Sequence, residues 1–170
     1  MKNLFFDTET SGLPNKYKAH YSETENWPRI VQLSWLIADS EGAVLSEADY
    51  IIKVDFEIPK EASRIHGITN AVAEKKGVLI NKVLKAFLTD IDKIDRLICH
   101  NVAFDLPVLQ SELYRGGHRH EITTPNFCTI FDGHYFICRG CLVNQVEKCY
   151  RDGLSKTKEV SYVTTKIASR

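Results

Sequence analysis

Ile80, Val83, Leu84, Phe87, Leu88 and Ile91 recur at intervals of three and four residues, and an amphipathic helix is the regular structure that gathers them on one side. Earlier in the chain the period is different. Val31, Leu33, Trp35 and Ile37 alternate with Gln32, Ser34 and Leu36, the pattern of a strand over Ile30 to Asp39 with one fully buried face and one mixed face. Ser40-Glu41-Gly42-Ala43 reads as a tight turn, and Val44 to Val54 as the returning strand of a hairpin. A chain that opens on paired strands and continues with helices must bury both kinds of face against each other. The expected class is α/β with a mixed sheet.

The remaining elements are shorter. Leu4 to Asp7 reads as a buried strand. Thr8 to Asn26 is polar, holds Gly12 and Pro14 and reads as a loop, with Trp27 on its surface. Pro59 to Arg64 forms a helical turn, and Thr69 caps a helix running to about Lys76. Arg96 to His100 is a buried strand with Cys99 in the core. Val102 to Arg115 is a helix with Leu106, Leu109 and Leu113 inward, closed by Gly116-Gly117. A further strand is expected near Phe127 to Ile130. Beyond about Phe131 the periodic pattern weakens and Ser, Thr and Lys dominate, so residues 1–135 are expected to form the domain core and residues 136–170 a divergent segment.

A chain of 170 residues suffices for one domain with a sizeable core. Lys plus Arg equals Asp plus Glu, at 22 each, which argues against an architectural nucleic-acid binder, since such proteins carry a basic excess. It leaves room for an enzyme that holds a strand end through metals and a few local contacts. No run of 18 apolar residues occurs, so no membrane span is expected. The first apolar run is too short for a signal-peptide core, which makes the cytoplasm the expected compartment and the five cysteines thiols.

Asp7 and Glu9 stand two residues apart at the end of the first strand, and in an extended chain such residues point to one face. Two like charges this close are costly unless a cation neutralises them, and Mg²⁺ and Mn²⁺ prefer oxygen ligands of this kind. Asp105 lies in the first turn of a helix that follows a buried strand, with Asn101 placed to cap it. Strand ends and the helix starts that follow them are where α/β folds build sites. Taken singly, the pair reads equally as solvated loop acids, and Asp105 as a first-turn acid favoured by the helix dipole.

Together the segments resemble a known family. Phe6-Asp7-Thr8-Glu9-Thr10-Ser11-Gly12-Leu13 is similar to the first motif of the DEDD (DnaQ-like) 3′→5′ exonucleases, and His100-Asn101-Val102-Ala103-Phe104-Asp105 to the second. Ser63-Arg64-Ile65-His66-Gly67-Ile68-Thr69 resembles the His-Gly-Ile-Thr stretch of the polymerase III epsilon-like branch, and Phe127-Cys128-Thr129-Ile130 its next strand. The resemblance covers roughly the first 130 residues. It implies an RNase H-like fold, a mixed five-stranded sheet flanked by helices. Asp7, Glu9 and Asp105 would hold two divalent cations, Mg²⁺ or Mn²⁺, in the two-metal scheme for phosphoryl transfer. Thr8 and Thr10 would lie near the terminal nucleotide, Leu13 would pack on its base, and His66 and Asn101 would contact substrate or support the site. The implied activity releases nucleoside 5′-monophosphates from single-stranded or frayed 3′ ends, DNA favoured over RNA, with a DNA polymerase as a possible partner.

The chain departs from the family where a third motif is needed, a His or Tyr followed five or four residues later by Asp. After Asp105 only Asp132 and Asp152 remain, and neither is preceded by His or Tyr at that spacing. Three readings stay open: a domain altered after Phe131 that binds nucleic acid or a polymerase without turnover, a tail in which Glu147 or Asp152 completes the site at unusual spacing, or weak catalysis on three carboxylates. Losing a general base alone costs on the order of 10²- to 10⁴-fold. His134, Cys138, Cys141 and Cys149 form a Cys-x-x-Cys-centred cluster that reads as free thiols more readily than as a zinc site. Arg115, His118, Arg119 and His120 make a small basic patch that reads chiefly as a solvated loop.

Overall fold

The computed structural model describes residues 1–118 and 120–129. Its strands are β1 (Lys2–Thr10), β2 (Ile30–Asp39), β3 (Val44–Lys53), β4 (Val78–Leu79), β5 (Arg96–Cys99) and β6 (Asn126–Cys128). Its helices are α1 (Lys60–His66), α2 (Asn70–Lys76), α3 (Ile80–Ile91) and α4 (Val102–Arg115), with a single 3₁₀ turn at Thr24–Asn26. The strands form one sheet in the order β4-β3-β2-β1-β5-β6. β1, β2 and β3 run antiparallel to their neighbours in sequence, whereas β5 lies parallel to β1, β6 parallel to β5, and β4 parallel to β3. The α/β class with a mixed sheet is therefore as expected, with six strands in place of five. The extra strand is the two-residue β4. Gly77 brings it in, because a Cβ at that position would fall 2.2 Å from the Ala73 carbonyl oxygen and 2.5 Å from the Lys53 nitrogen.

The main core lies between the sheet and helices α3 and α4. Leu4, Phe6, Leu33, Trp35 and Ile37 from the sheet meet Val83, Leu84, Phe87 and Ile91 of α3 and Val108, Leu109 and Leu113 of α4. Phe87 packs edge-on against both Phe6 and Trp35. The stripe read on α3 is therefore its buried face. Thr69 caps α2 as expected, its Oγ1 accepting from the Val72 N–H at 3.3 Å. Leu106 is only half-buried at the margin of this core.

Two expectations are corrected. Trp27 is buried, its ring in the main core and its Nε1 donating to the His20 carbonyl at 3.2 Å. The polar stretch before it hid the fact that one large ring can anchor a whole loop. Strand β1 also runs three residues beyond the expected end at Asp7, because Glu9 and Thr10 pair with Gln32 and Ile30 of β2 across an irregular step in register. Backbone pairing, rather than side-chain hydropathy, sets its end.

Candidate active site

The pairing of β1 with β5 stops at Phe6 and Cys99, while β1 continues to Thr10 beside β2 alone. At this fork the Thr8 N–H has lost its neighbouring strand. It donates instead to Asp105 Oδ1 at 3.1 Å, and the Thr8 hydroxyl donates to the same oxygen at 2.6 Å. The chain reaches Asp105 through Asn101, which adopts the left-handed conformation at φ 69°, ψ 54°. The expected side-chain cap by Asn101 is absent. Its carbonyl accepts from the N–H groups of Phe104 (2.8 Å) and Asp105 (3.4 Å), and the left-handed turn swings α4 sharply off the end of β5.

Asp7, Glu9 and Asp105 are thus brought to one end of the sheet. Burial alternates along β1, with Asp7 and Glu9 half-exposed on one face and Thr8 and Thr10 buried on the other. Burial pushes the Asp7 carboxyl up to about 8, with Asp105 and then Glu9 adding repulsion. Glu9 is raised by its burial and by Asp105, and Asp105 by its own burial, which the Thr8 donors only partly offset. No Lys or Arg forms an ion pair with any of the three among the described residues. The buried Cys99 thiol is itself driven well up by burial and by the nearby Asp105 and Asp7, and it donates to the His100 carbonyl at 3.5 Å.

The other expected residues take distinct places. Thr10 Oγ1 donates to the Gly12 carbonyl at 2.7 Å and shapes the turn out of β1. Leu13 stands on that turn, 74% exposed. His66 closes α1; its Nδ1 accepts from the Ile68 N–H at 3.1 Å, and its buried Nε2 has no hydrogen-bond partner among the described residues, lying close to the Thr10 carbonyl. Burial lowers the His66 pKa, opposed by that carbonyl. His66 therefore packs against the end of β1, and Asn101 stands at the start of α4. His100 also lies at this end, its Nδ1 2.7 Å from Thr129 Oγ1 and its buried Nε2 without a hydrogen-bond partner among the described residues. Glu147, Asp152 and the His134, Cys138, Cys141 and Cys149 cluster lie outside the described residues.

The donor set suits a hard cation, being all oxygen and in need of positive charge. Among the described residues no three His, Cys, Asp or Glu side chains close on one point tightly enough to hold an ion by themselves.

Residues 4–152 match the family model RNase_T, described as exonuclease, and the chain belongs to this exonuclease family within the DEDD superfamily. The match runs past residue 135 and ends at Asp152. No curated protein matches the sequence. Among solved structures, exonuclease I from Methylocaldum szegediense aligns with TM-score 0.61 at 19% identity, covering 76% of this chain and 28% of that one. E. coli exonuclease I in complex with a dT13 oligonucleotide aligns with TM-score 0.60 at 21% identity, with the same coverage. The zinc-bound form of an E. coli exonuclease I complex with single-stranded DNA aligns with TM-score 0.60 at 22% identity, over 75% of this chain and 28% of that. The chain thus spans little more than a quarter of the exonuclease I chains, and the likeness establishes the shared RNase H-like fold. Among the described residues no helix is long and apolar enough to cross a membrane.

Proposed function

We propose that the chain is a metal-dependent 3′→5′ exonuclease domain that removes nucleoside 5′-monophosphates from single-stranded or frayed DNA ends. The observation that carries this reading is the convergence of three carboxylates, Asp7, Glu9 and Asp105, at one sheet end with raised pKa values and no cationic side chain among the described residues paired with them. Evolution rarely leaves such a cluster where it serves only stability, since uncompensated buried charge is costly. Asp7, Glu9 and Asp105 would hold two Mg²⁺ or Mn²⁺ ions, which supply an activated water and charge neutralisation at the scissile phosphate. Asp105 would be held at a fixed angle by the two donors of Thr8. Leu13, on the turn beyond β1, would pack on the terminal base, with Thr8, Thr10, His66 and Asn101 lining or supporting that end. DNA is favoured over RNA because the related exonuclease I structures contain dT13 and dA16 oligonucleotides. The epsilon-like His66-Gly67-Ile68-Thr69 stretch supports a polymerase as partner.

The unmatched third motif favours a second reading, a catalytically impaired domain that binds nucleic acid or a polymerase without turnover. One experiment separates the two: a 3′-labelled single-stranded oligonucleotide incubated with the protein and Mn²⁺, with Asp7→Ala as control. Release of labelled mononucleotide that vanishes in Asp7→Ala supports the exonuclease and makes Glu147 and Asp152 the next positions to substitute. An intact oligonucleotide that still binds supports the impaired domain.

A further inference from the structure

The loop between β1 and β2 is held far more firmly than its polar sequence requires. The Asn26 side chain accepts from the Lys16 N–H at 2.8 Å and donates to the Lys16 carbonyl at 2.9 Å, while the Asn15 N–H donates to the Asn26 carbonyl at 3.0 Å. The Arg115 guanidinium donates to the carbonyls of Thr24 and Trp27, and the Trp27 ring ties the loop back at His20. At the other end of the loop Ser11 and Arg29 exchange two hydrogen bonds, Ser11 N–H to the Arg29 carbonyl and Arg29 N–H to Ser11 Oγ.

What this scaffold presents outward is Lys16-Tyr17-Lys18, all exposed, with Tyr17 at 56%. Next in the chain, the His20 and Tyr21 rings lie 4.1 Å apart, and Tyr21 meets Tyr114 of α4 edge-on at 6.4 Å, Tyr114 itself being 43% exposed. The loop's acids are turned to other work. Glu23 accepts from the His20 N–H, and Glu25 lies close enough to Arg115 to favour its charge. The result is a rigid surface of aromatic rings flanked by lysines, the composition that binds single strands by stacking and by attraction to the backbone.

Its position is equally specific. Asp105 touches Thr8, and Glu112, two turns on, touches Ile30, so α4 leads from the carboxylates directly to this loop. Tyr114 lies nine helical steps beyond Asp105, a path of about 13 Å. At a per-strand rise of ~3.4 Å that is roughly four stacked nucleotides.

We infer that Tyr17, Tyr21 and Tyr114, with Lys16 and Lys18, form a stacking platform for the single strand a few nucleotides upstream of the 3′ end. This rests on the exonuclease reading, because only a strand end at the carboxylates puts its upstream bases here. It makes strand length, rather than base identity, the determinant of affinity, since every base has a stackable face.

The test measures fluorescence anisotropy of labelled dT3 and dT12 with the full chain in an Asp7→Asn background, alongside hydrolysis of the p-nitrophenyl ester of dTMP by the otherwise unaltered protein. The expected result is dT12 binding at least 10-fold tighter than dT3. Tyr17→Ala and Tyr114→Ala should each remove about 10-fold of that preference, Tyr17→Trp should restore it, and Lys16→Ala with Lys18→Ala should flatten the salt dependence. Lys85→Ala, exposed on the distant α3, should behave like the parent. Equal affinity for the two oligonucleotides, or a preference untouched by the tyrosine variants, overturns the platform and leaves the surface to a protein partner, even if the ester is cleaved. Absence of both ester cleavage and oligonucleotide binding overturns the exonuclease reading and the platform with it.

Discussion

Asp105 and Glu112 lie on the same helix, seven residues apart, and both are buried, at 4% and 2% exposure. Their surroundings are opposite. Glu112 Oε1 accepts from Arg29 Nε at 2.8 Å, Arg115 Nη1 at 2.9 Å and the Ile30 N–H at 3.2 Å. Its charge is answered within the chain, and the knot it forms holds the start of β2 and the β1–β2 loop against α4. Among the described residues Asp105 Oδ1 accepts from the uncharged N–H and hydroxyl of Thr8, and its near neighbours Asp7 and Glu9 are acids. A buried acid among basic partners is architecture. A buried acid among acids needs a positive charge that the described residues do not supply.

Neutralising each acid separates the two cases most strongly. Asp105→Asn should abolish Mn²⁺-supported turnover by on the order of 10³-fold while leaving the metal-free protein no less stable, because the amide relieves repulsion. Glu112→Ala should do the reverse in emphasis. Removing the acid leaves two guanidinium groups and an N–H without their partner, and a urea titration should show a loss of about 3 kcal/mol. A variant of Asp105 that unfolds the chain, or a Glu112 variant as stable as its parent, would break the comparison.

The pH dependence sharpens it. Asp7 is raised from 3.8 to about 8, so the folded state binds a proton that the unfolded state releases. Its stabilising contribution is complete below about pH 4 and is lost as the pH rises toward about 8. In EDTA the protein should therefore unfold more readily at pH 8 than at pH 5, and Asp7→Asn should flatten that difference in a pH series of denaturation midpoints. The smallest effect is expected from Thr8→Val, which removes the hydroxyl donor to Asp105 but keeps the backbone one. Turnover should fall by roughly 10-fold, with folding barely changed.

Much of the carboxylate site was legible in the sequence because it is built from local rules. The two-residue step from Asp7 to Glu9, and the placing of Asp105 just after a buried strand, are features of period and order. The hairpin and the α3 stripe were legible for the same reason. What escaped depends on contacts between distant segments. Glu112 carries no local signal, since its partners Arg29 and Ile30 lie some eighty residues away. Trp27 sits in a polar stretch, and its burial is decided by a core assembled from α3, α4 and the sheet. Thr8 to Thr10 looked like loop because their strand character comes from pairing with β2. At Asn101 the residue type favoured a side-chain cap, but the turn needed between β5 and α4 demanded a left-handed residue instead, a conformation Asn tolerates better than most.

The central claim is that the charge missing around Asp105 is supplied by bound cations. The most direct measurement is a calorimetric Mn²⁺ titration at pH 8 of the parent, Asp7→Asn and Asp105→Asn, each followed by a thermal melt with and without Mn²⁺. Binding heat and a raised midpoint in the parent, both sharply reduced in the two variants, are the predicted result. No binding by the parent, or equal binding and equal stabilisation in all three proteins, would contradict it.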